Sequence, residues 1–272
     1  MQVPILSIVF MGISAIVSIG VPIALFLFFR KKYGARVMPM LIGIAGFFIF
    51  ALVLESLVHS FILGNYIIRD ESPALYIVYG IFMAGIFEET ARFISFNILK
   101  KRYNGFGTAL SYGIGHGGIE SVLLAGASMI MAIITSILFN AGSIEVLTKN
   151  MDGDALAAIN NQLIVLITSE SYLFLIGGME RLFAIGIQLG LTVIVFYAVY
   201  GTKKIWLYPL AILLHAAIDI PAAAFQAGVL TSIVLVEAVV FVSAVLMLLF
   251  ARYLHNKFKP ELAAETVTVA GG

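Results

Sequence analysis

The segment GIFEETARF, residues 85–93, decides how the chain must fold, because it sets charged side chains inside an apolar run. Glu88, Glu89 and Arg92 lie near the middle of a stretch, residues 74–99, that is long enough to cross a membrane. An ionised group at that depth costs about 2.5–3.5 kcal/mol on insertion scales. A chain carries such charges where neighbouring groups neutralise them or where a function needs them.

The composition places the whole chain in a membrane. Of its 272 residues, 61% are hydrophobic and 11% are charged, whereas a soluble domain carries about 25% charged residues. The apolar runs are longer than the ~10-residue alternating strands of an outer-membrane barrel, so an all-α, multi-pass protein of the cell membrane is expected. The net charge of +1 gives no reason to expect a nucleic-acid partner. Because cysteine is absent, thiolate nucleophiles and cysteine-bound metals are excluded.

Seven segments meet the ~20 residues that a membrane-spanning helix needs, and they predict a polytopic helical bundle. The predicted spans are 4–29, 37–63, 74–99, 106–139, 179–201, 206–225 and 229–251. We expect one transmembrane domain over residues 1–259 and a disordered tail over residues 260–272.

The Lys and Arg clusters predict the orientation of the spans. They follow spans one, three, five and seven, and cytosolic loops carry an excess of these residues. The N-terminus is therefore expected outside and the C-terminus in the cytosol. The apolar stretch 155–178 leaves an eighth span open, but counting it would divide the basic clusters between both sides. We interpret 141–178 as an outer-face lid, separated from the fifth span by Gly177 and Gly178.

Two later spans carry ionisable pairs at helical spacing. His116 and Glu120 are four residues apart in the fourth span, as are His215 and Asp219 in the sixth, and such residues share one helix face. Counted from the basic ends of their spans at 1.5 Å per residue, Glu88, His116 and His215 lie at similar depths of about 15–20 Å. We therefore expect the third, fourth and sixth spans to build one polar site.

The residue types in this predicted site suit hydrolysis. Two carboxylates and two imidazoles can activate water, with a carboxylate as general base and an imidazole handling the proton. The same groups suit Zn²⁺, since two His and a carboxylate are a common catalytic ligand set. Our leading interpretation requires no cofactor. Zinc held by Glu88, His116 and His215 remains the alternative.

Three motifs resemble those of a known protease superfamily. They are EETAR at 88–92, Tyr112-x-x-x-His116 and His215-x-x-x-Asp219. In this order they resemble the motifs of the CAAX-prenyl endopeptidase and bacteriocin-processing superfamily of intramembrane proteases. The closest likeness is to the YhfC-like membrane peptidases, with the PrsW-type proteases nearby. The prenyl endopeptidase branch has one more residue between its Glu pair and Arg, and usually Asn where this chain has Asp219.

This resemblance implies roles for the site residues. It implies an endopeptidase in which Glu88 activates water with help from His116, acting on a membrane protein or a lipidated peptide. His215 and Asp219 would form the oxyanion pocket or complete the site, and Glu89 and Arg92 would set the position and ionisation of Glu88. Tyr112 and Glu120 are expected to support these catalytic residues.

Two other function classes stay open at this point. One is a non-catalytic superfamily member that acts as a scaffold or immunity protein, and the other is a proton-coupled transporter, because membrane-embedded acids and His also serve proton relays. Two further polar pairs, Glu55 with His59 and Glu180 with Arg181, are interpreted as structural or gating groups of the outer half. The sequence does not name the substrate or the oligomeric state, and it leaves open which of the two catalytic candidates Glu88 and Glu89 is the base.

Overall fold

The chain folds into a bundle of helices in a computed structural model, which describes residues 1–65 and 72–270. In chain order the elements are α1 (Ile5–Tyr33), α2 (Val37–Gly46), π1 (Phe47–Glu55), α3 (Ser56–Asn65), α4 (Pro73–Leu99), α5 (Phe106–Ser121), π2 (Val122–Ala127), α6 (Ser128–Asn140), α7 (Glu145–Thr148), α8 (Gly153–Thr168), α9 (Ser171–Tyr200), α10 (Leu207–Gln226) and α11 (Ile233–Ala270). The elements π1 and π2 are π-helical segments within longer helices.

Seven helices in the described part of the chain are long and apolar enough to cross a membrane. Two of them are composite, because α2, π1 and α3 form one span and α5, π2 and α6 form another. Each of the seven overlaps one predicted span, so the predicted all-α bundle with seven spans is confirmed. The orientation of the termini stays a prediction.

The region predicted as a lid differs from expectation at its junction with the fifth span. Helix α9 begins at Ser171 and runs without interruption through Gly177 and Gly178, so the predicted break there is wrong. The chain changes direction at Ser169, which has an extended backbone (φ −78°, ψ 143°). Gly178 instead allows close packing, since a Cβ on it would lie 2.7 Å from Cα of Ser14 on α1. Helix α8 has 16 residues, fewer than the ~20 that span a bilayer.

The last helix also differs from expectation. Helix α11 continues to Ala270, over most of the tail that the sequence predicts to be disordered. Residues 260–270 include three Ala, two Glu and one Leu, which are strong helix formers. Residues 271 and 272 lie outside the described part.

The described chain divides into two compact units. The first contains residues 1–23 and 120–182, and the second contains residues 24–119 and 183–272. In the first unit, a small apolar core forms around Met11, Leu166 and Phe174. Three spans, α1, α9 and the α5–π2–α6 span, each contribute residues to both units. The single domain predicted over residues 1–259 stays a prediction.

Helix α9 is the central helix of the second unit. It is the most buried of the seven spans, and its residues Leu191, Ile194 and Phe196 lie in a core that includes Phe96 of α4. Helix α4 packs against α10, α2 and π1. This arrangement surrounds the charged middle of α4 with protein.

Two glycines let α5 approach its neighbours closely. A Cβ on Gly115 would overlap the backbone carbonyl of Met40 in α2, and a Cβ on Gly117 would lie 2.7 Å from Cβ of Gln188 in α9. Small residues serve this purpose at helix interfaces in membranes. The residue between them, His116, is therefore held in the interior of the second unit, where it is fully buried.

Candidate active site

The site begins with two adjacent carboxylates on α4 that share one guanidinium. Arg92 is fully buried one helical turn after Glu88 and Glu89. Its Nη1–H donates to Oε1 of Glu89, and its Nη2–H donates to Oε2 of Glu88 at 3.3 Å. An unpaired buried charge is far more costly than a paired one. Arg92 therefore compensates the charges that α4 brings into the bundle.

The imidazole of His116 joins α5 to this pair. Its Nε2–H donates to Oε2 of Glu88 at 2.9 Å. The ring is fully buried and meets the edge of the Phe47 ring, with centroids 5.2 Å apart. The Tyr112 ring stacks one helical turn away, at 6.0 Å between centroids. The other ring nitrogen, Nδ1, has no hydrogen-bond partner among the described residues.

His215 brings α10 into the same cluster. Its Nδ1–H donates to Oε1 of Glu89 at 2.7 Å, and its Nε2 lies 3.4 Å from Oδ2 of Asp219. The approach of the two helices depends on Gly85 of α4, because a Cβ there would lie 3.0 Å from the backbone carbonyl oxygen of Ile212. The structure thus brings together the acid and imidazole groups of the third, fourth and sixth spans.

Two residues of α9 belong to the site although the sequence did not single them out. The side-chain amide of Gln188 donates Nε2–H to Oε2 of Glu88 at 3.0 Å and accepts a hydrogen bond from Arg92. Thr192 accepts Nε–H of Arg92 at 3.3 Å and donates to the backbone carbonyl of Gln188 at 2.6 Å. The sequence feature that could have identified Gln188 is its amide inside an apolar span, where a polar group needs a hydrogen-bond partner within the protein.

The two glutamates differ in accessibility. Three donors from His116, Gln188 and Arg92 all reach one oxygen of Glu88, Oε2. The Glu88 side chain is 10% exposed, whereas the Glu89 side chain is 0% exposed. In addition, Oε2 of Glu89 is buried without a hydrogen-bond partner in the described part of the chain. Glu88 is therefore the carboxylate of this pair that a small molecule can reach.

The remaining polar residues from the sequence analysis form two other groups. In the first compact unit, Glu120 pairs with Arg181 at 3.5 Å, and Arg181 also pairs with its neighbour Glu180. In the second unit, Glu55 pairs with His59 at 3.2 Å. The recorded contacts give Glu120 a guanidinium partner of its own, so its supporting role toward the site stays a prediction.

Comparison with known proteins decides the family. A family profile described as "YhfC intramembrane metalloprotease" matches residues 17–240. The chain is also 37% identical over 244 residues to the "Uncharacterized membrane protein YhfC" of Bacillus subtilis (strain 168), a match that covers 88% of this chain and 93% of the relative. The chain belongs to the YhfC intramembrane metalloprotease family. No solved structure matches it.

These matches confirm the predicted likeness to the YhfC-like membrane peptidases, while the wider superfamily placement stays a prediction. Together with the seven spans, it makes the chain a multi-pass protein of the cell membrane and a membrane protease. The profile match covers the motifs on α4, α5 and α10, which are the elements that build the polar cluster.

The family description implies a metal, and the cluster matches it in chemistry but not in arrangement. Two imidazoles and several carboxylates are the ligand types of a catalytic zinc site. In the described residues, however, no three His, Asp or Glu side chains are placed to hold one ion. Nε2 of His116 and Nδ1 of His215 face carboxylates, and the cation of Arg92 binds both glutamates. A zinc ion could therefore bind here only if these side chains left the observed contacts.

Proposed function

We propose that this YhfC-family chain is a glutamate-type intramembrane endopeptidase, in which Glu88 activates water. The substrate would be a membrane protein or a lipidated peptide. The observation that carries the proposal is the set of hydrogen bonds that His116, Gln188 and Arg92 make to Oε2 of Glu88. They fix the carboxylate in place, and the residue is still partly accessible. A general base needs such a fixed position within reach of the water that it deprotonates.

In the proposed reaction, Oε1 of Glu88 takes a proton from water while the water oxygen attacks the scissile carbonyl carbon. The resulting oxyanion needs a hydrogen-bond donor, and donors placed in advance contribute strongly to such steps. We assign this role to His215, whose Nδ1–H is held by Glu89, so the donor would be Nε2–H on the side of Asp219. The proton held by Glu88 then passes to the amine as the C–N bond breaks, so the products are a carboxylic acid and an amine.

The other charged groups would position the base rather than react. Glu89 is fully buried and binds both Arg92 and His215, so it links the α4 cation to the α10 imidazole. Arg92 in turn binds both carboxylates. Such contacts hold catalytic groups in orientation, as the hydrogen-bonded partners of metal-bound or catalytic His do in other enzymes.

The zinc-dependent alternative has support from the family description. In that case Glu88, His116 and His215 would hold the ion, and the ion would polarise the carbonyl and the water. Binding would require these side chains to rearrange from the observed contacts. A metal chelator distinguishes the two mechanisms. If Glu88 acts without a metal, cleavage by the purified protein continues in the presence of a strong chelator. Loss of cleavage that is restored by Zn²⁺ would establish the alternative.

Protease activity can be tested before any substrate is known. Membrane fractions from cells that produce the wild-type chain or its Glu88→Gln variant are compared by mass spectrometry of protein N-termini. Glu145→Gln is a matched control, because Glu145 is exposed on the short helix α7. We expect new N-termini of membrane proteins with the wild type and the control and none with Glu88→Gln. Identical N-termini in all three samples would contradict the proposal and favour a scaffold or a transporter.

A further inference from the structure

A second polar cluster, which the mechanism does not use, lies in the same compact unit as the active site. His59 of α3 connects two other residues in it. Its Nε2 lies 3.2 Å from Oε1 of Glu55, and its Nδ1 lies 2.8 Å from the hydroxyl of Tyr79 on α4. The rings of His59 and Tyr79 also meet edge to face, with centroids 5.4 Å apart. We call Tyr79, His59 and Glu55 the polar strip.

The inner end of the polar strip lies on π1, which packs against α4, the helix that carries Glu88. Glu55 is the last residue of π1 and is 8% exposed. The other end of π1 also serves the site, because Phe47 contacts the ring of His116. π-Helical segments are rare and often mark functional sites.

The outer end of the polar strip lies near the beginning of α4. Tyr79 is six residues after Pro73, where α4 begins, and nine residues before Glu88. At 1.5 Å per residue these separations correspond to about 9 Å and about 13 Å along the helix axis. The hydrogen-bonded polar strip therefore runs from the first two turns of α4, through α3, to the end of π1.

Part of this polar strip must face either lipid or water. The side chain of His59, in the middle of the strip, is 34% exposed. The apolar neighbours Leu57 and Val78 are 63% and 49% exposed on other faces of their helices, as expected for contact with lipid. Polar and ionisable side chains in membrane spans usually face the bundle interior or a water-filled cavity rather than lipid. Water is therefore the environment that suits the exposed side of His59.

We propose that the polar strip is the path by which water, the second substrate of the hydrolysis, reaches Glu88. The proposal rests on the proposed function, because water is consumed only if the site hydrolyses a bond. Along the polar strip, Tyr79 offers a hydroxyl, His59 an imidazole and Glu55 a carboxylate. A water molecule therefore has a hydrogen-bond partner at each of these three positions. Glu55 is the last of them before the catalytic cluster.

The absence of cysteine from the chain allows a direct test of this path. Single-cysteine variants His59→Cys and Tyr79→Cys are placed in lipid nanodiscs, which expose both membrane faces. Each is treated with a positively charged thiol reagent that does not enter lipid, and labelling is read by mass spectrometry. Leu57→Cys and Val78→Cys are the matched controls, each within two residues of its test position. A lipid-soluble maleimide shows that the cysteine of each folded variant is reactive.

The water path predicts labelling of His59→Cys and Tyr79→Cys by the charged reagent at least tenfold faster than labelling of the two controls. If the maleimide labels the two test variants but the charged reagent does not, the polar strip is dry and the proposal fails. Equal labelling of all four variants by the charged reagent would also overturn it, because the whole segment would then face water. The assay does not depend on proteolysis, so loss of the water path would leave the test of Glu88 unaffected.

Discussion

At the scale of single residues, the site depends on how one buried guanidinium compensates two carboxylates. Arg92 binds both Glu88 and Glu89, but only Glu89 is fully removed from solvent. Removing one partner of a fully buried ion pair costs about 3–5 kcal/mol, because the other charge is left without compensation. The two adjacent glutamates should therefore respond differently to the same substitution.

We predict that Glu89→Gln lowers the stability of the protein more than Glu88→Gln does. The neutral amide at position 89 deprives Arg92 and His215 of a buried anion that both of them contact, and we expect a loss of about 3 kcal/mol. Glu88→Gln keeps an oxygen that can accept hydrogen bonds at a partly accessible position. Thermal unfolding of both variants in the same detergent compares them. A larger loss of stability for Glu88→Gln would contradict the division between a positioning and a reacting carboxylate.

Gln188 offers a second test at this scale, because its amide binds both Glu88 and Arg92. We predict that Gln188→Leu lowers kcat about 10- to 100-fold with little change in KM, which corresponds to about 1.4–2.7 kcal/mol in the barrier. The reason is that Glu88 loses a donor that holds it in orientation, while the substrate loses no contact. Gln162→Leu on α8 makes the same chemical change outside the site and should leave both constants unaltered. An unchanged kcat in Gln188→Leu would show that Gln188 does not position Glu88 for catalysis.

At the scale of helices, close packing between α5 and its neighbours sets the position of His116. The helix carries glycines on both sides of this residue, and the backbone of α2 fills the space in which a Cβ on Gly115 would lie. A methyl group at that position has to displace a main-chain carbonyl rather than a flexible side chain. The helices would then have to move apart, and with them His116 and the groups that it contacts.

We predict that Gly115→Ala lowers the unfolding temperature and weakens cleavage, since overpacking of a tight interface costs about 1–3 kcal/mol. Gly12→Ala on α1 is the control, because a Cβ there meets nothing within 4 Å. That control should be neutral or slightly stabilising, as Ala favours a helix more than Gly does. Equal stability of the two variants would show that α5 does not depend on this close approach.

The sequence predicts some of these elements well and others not at all. Hydropathy locates the seven spans, and the spacing of Glu88, His116 and His215 anticipates that their helices meet. The predicted helix break at Gly177 and Gly178 is wrong, because glycine in a membrane helix serves close packing as readily as it interrupts a helix. Gln188 escapes notice since a single amide carries no motif, and its role depends on a neighbour 100 residues away. The π-helical segments likewise depend on packing rather than on a local pattern.

At the scale of the whole molecule, the distribution of basic residues predicts which membrane face each loop occupies. Lys101 follows α4 and Lys149 follows α7, and the excess of Lys and Arg on the side of Lys101 indicates the cytosol. We predict that Lys101→Cys is labelled by an impermeant thiol reagent only in inside-out vesicles, and Lys149→Cys only in intact cells. The opposite pattern would invert the predicted orientation, and labelling of both from one side would change the number of spans.

In the proposed mechanism, groups of α4, α5, α9 and α10 together make Glu88 a base for water. The most direct measurement is the single-turnover rate of cleavage of an identified substrate by the purified protein in liposomes. A positioned general base contributes about 10²- to 10⁴-fold to rate. We predict that the rate falls at least about 10²-fold in Glu88→Gln, with the protein still folded and substrate binding retained. A folded Glu88→Gln variant that cleaves within tenfold of the wild-type rate would contradict it.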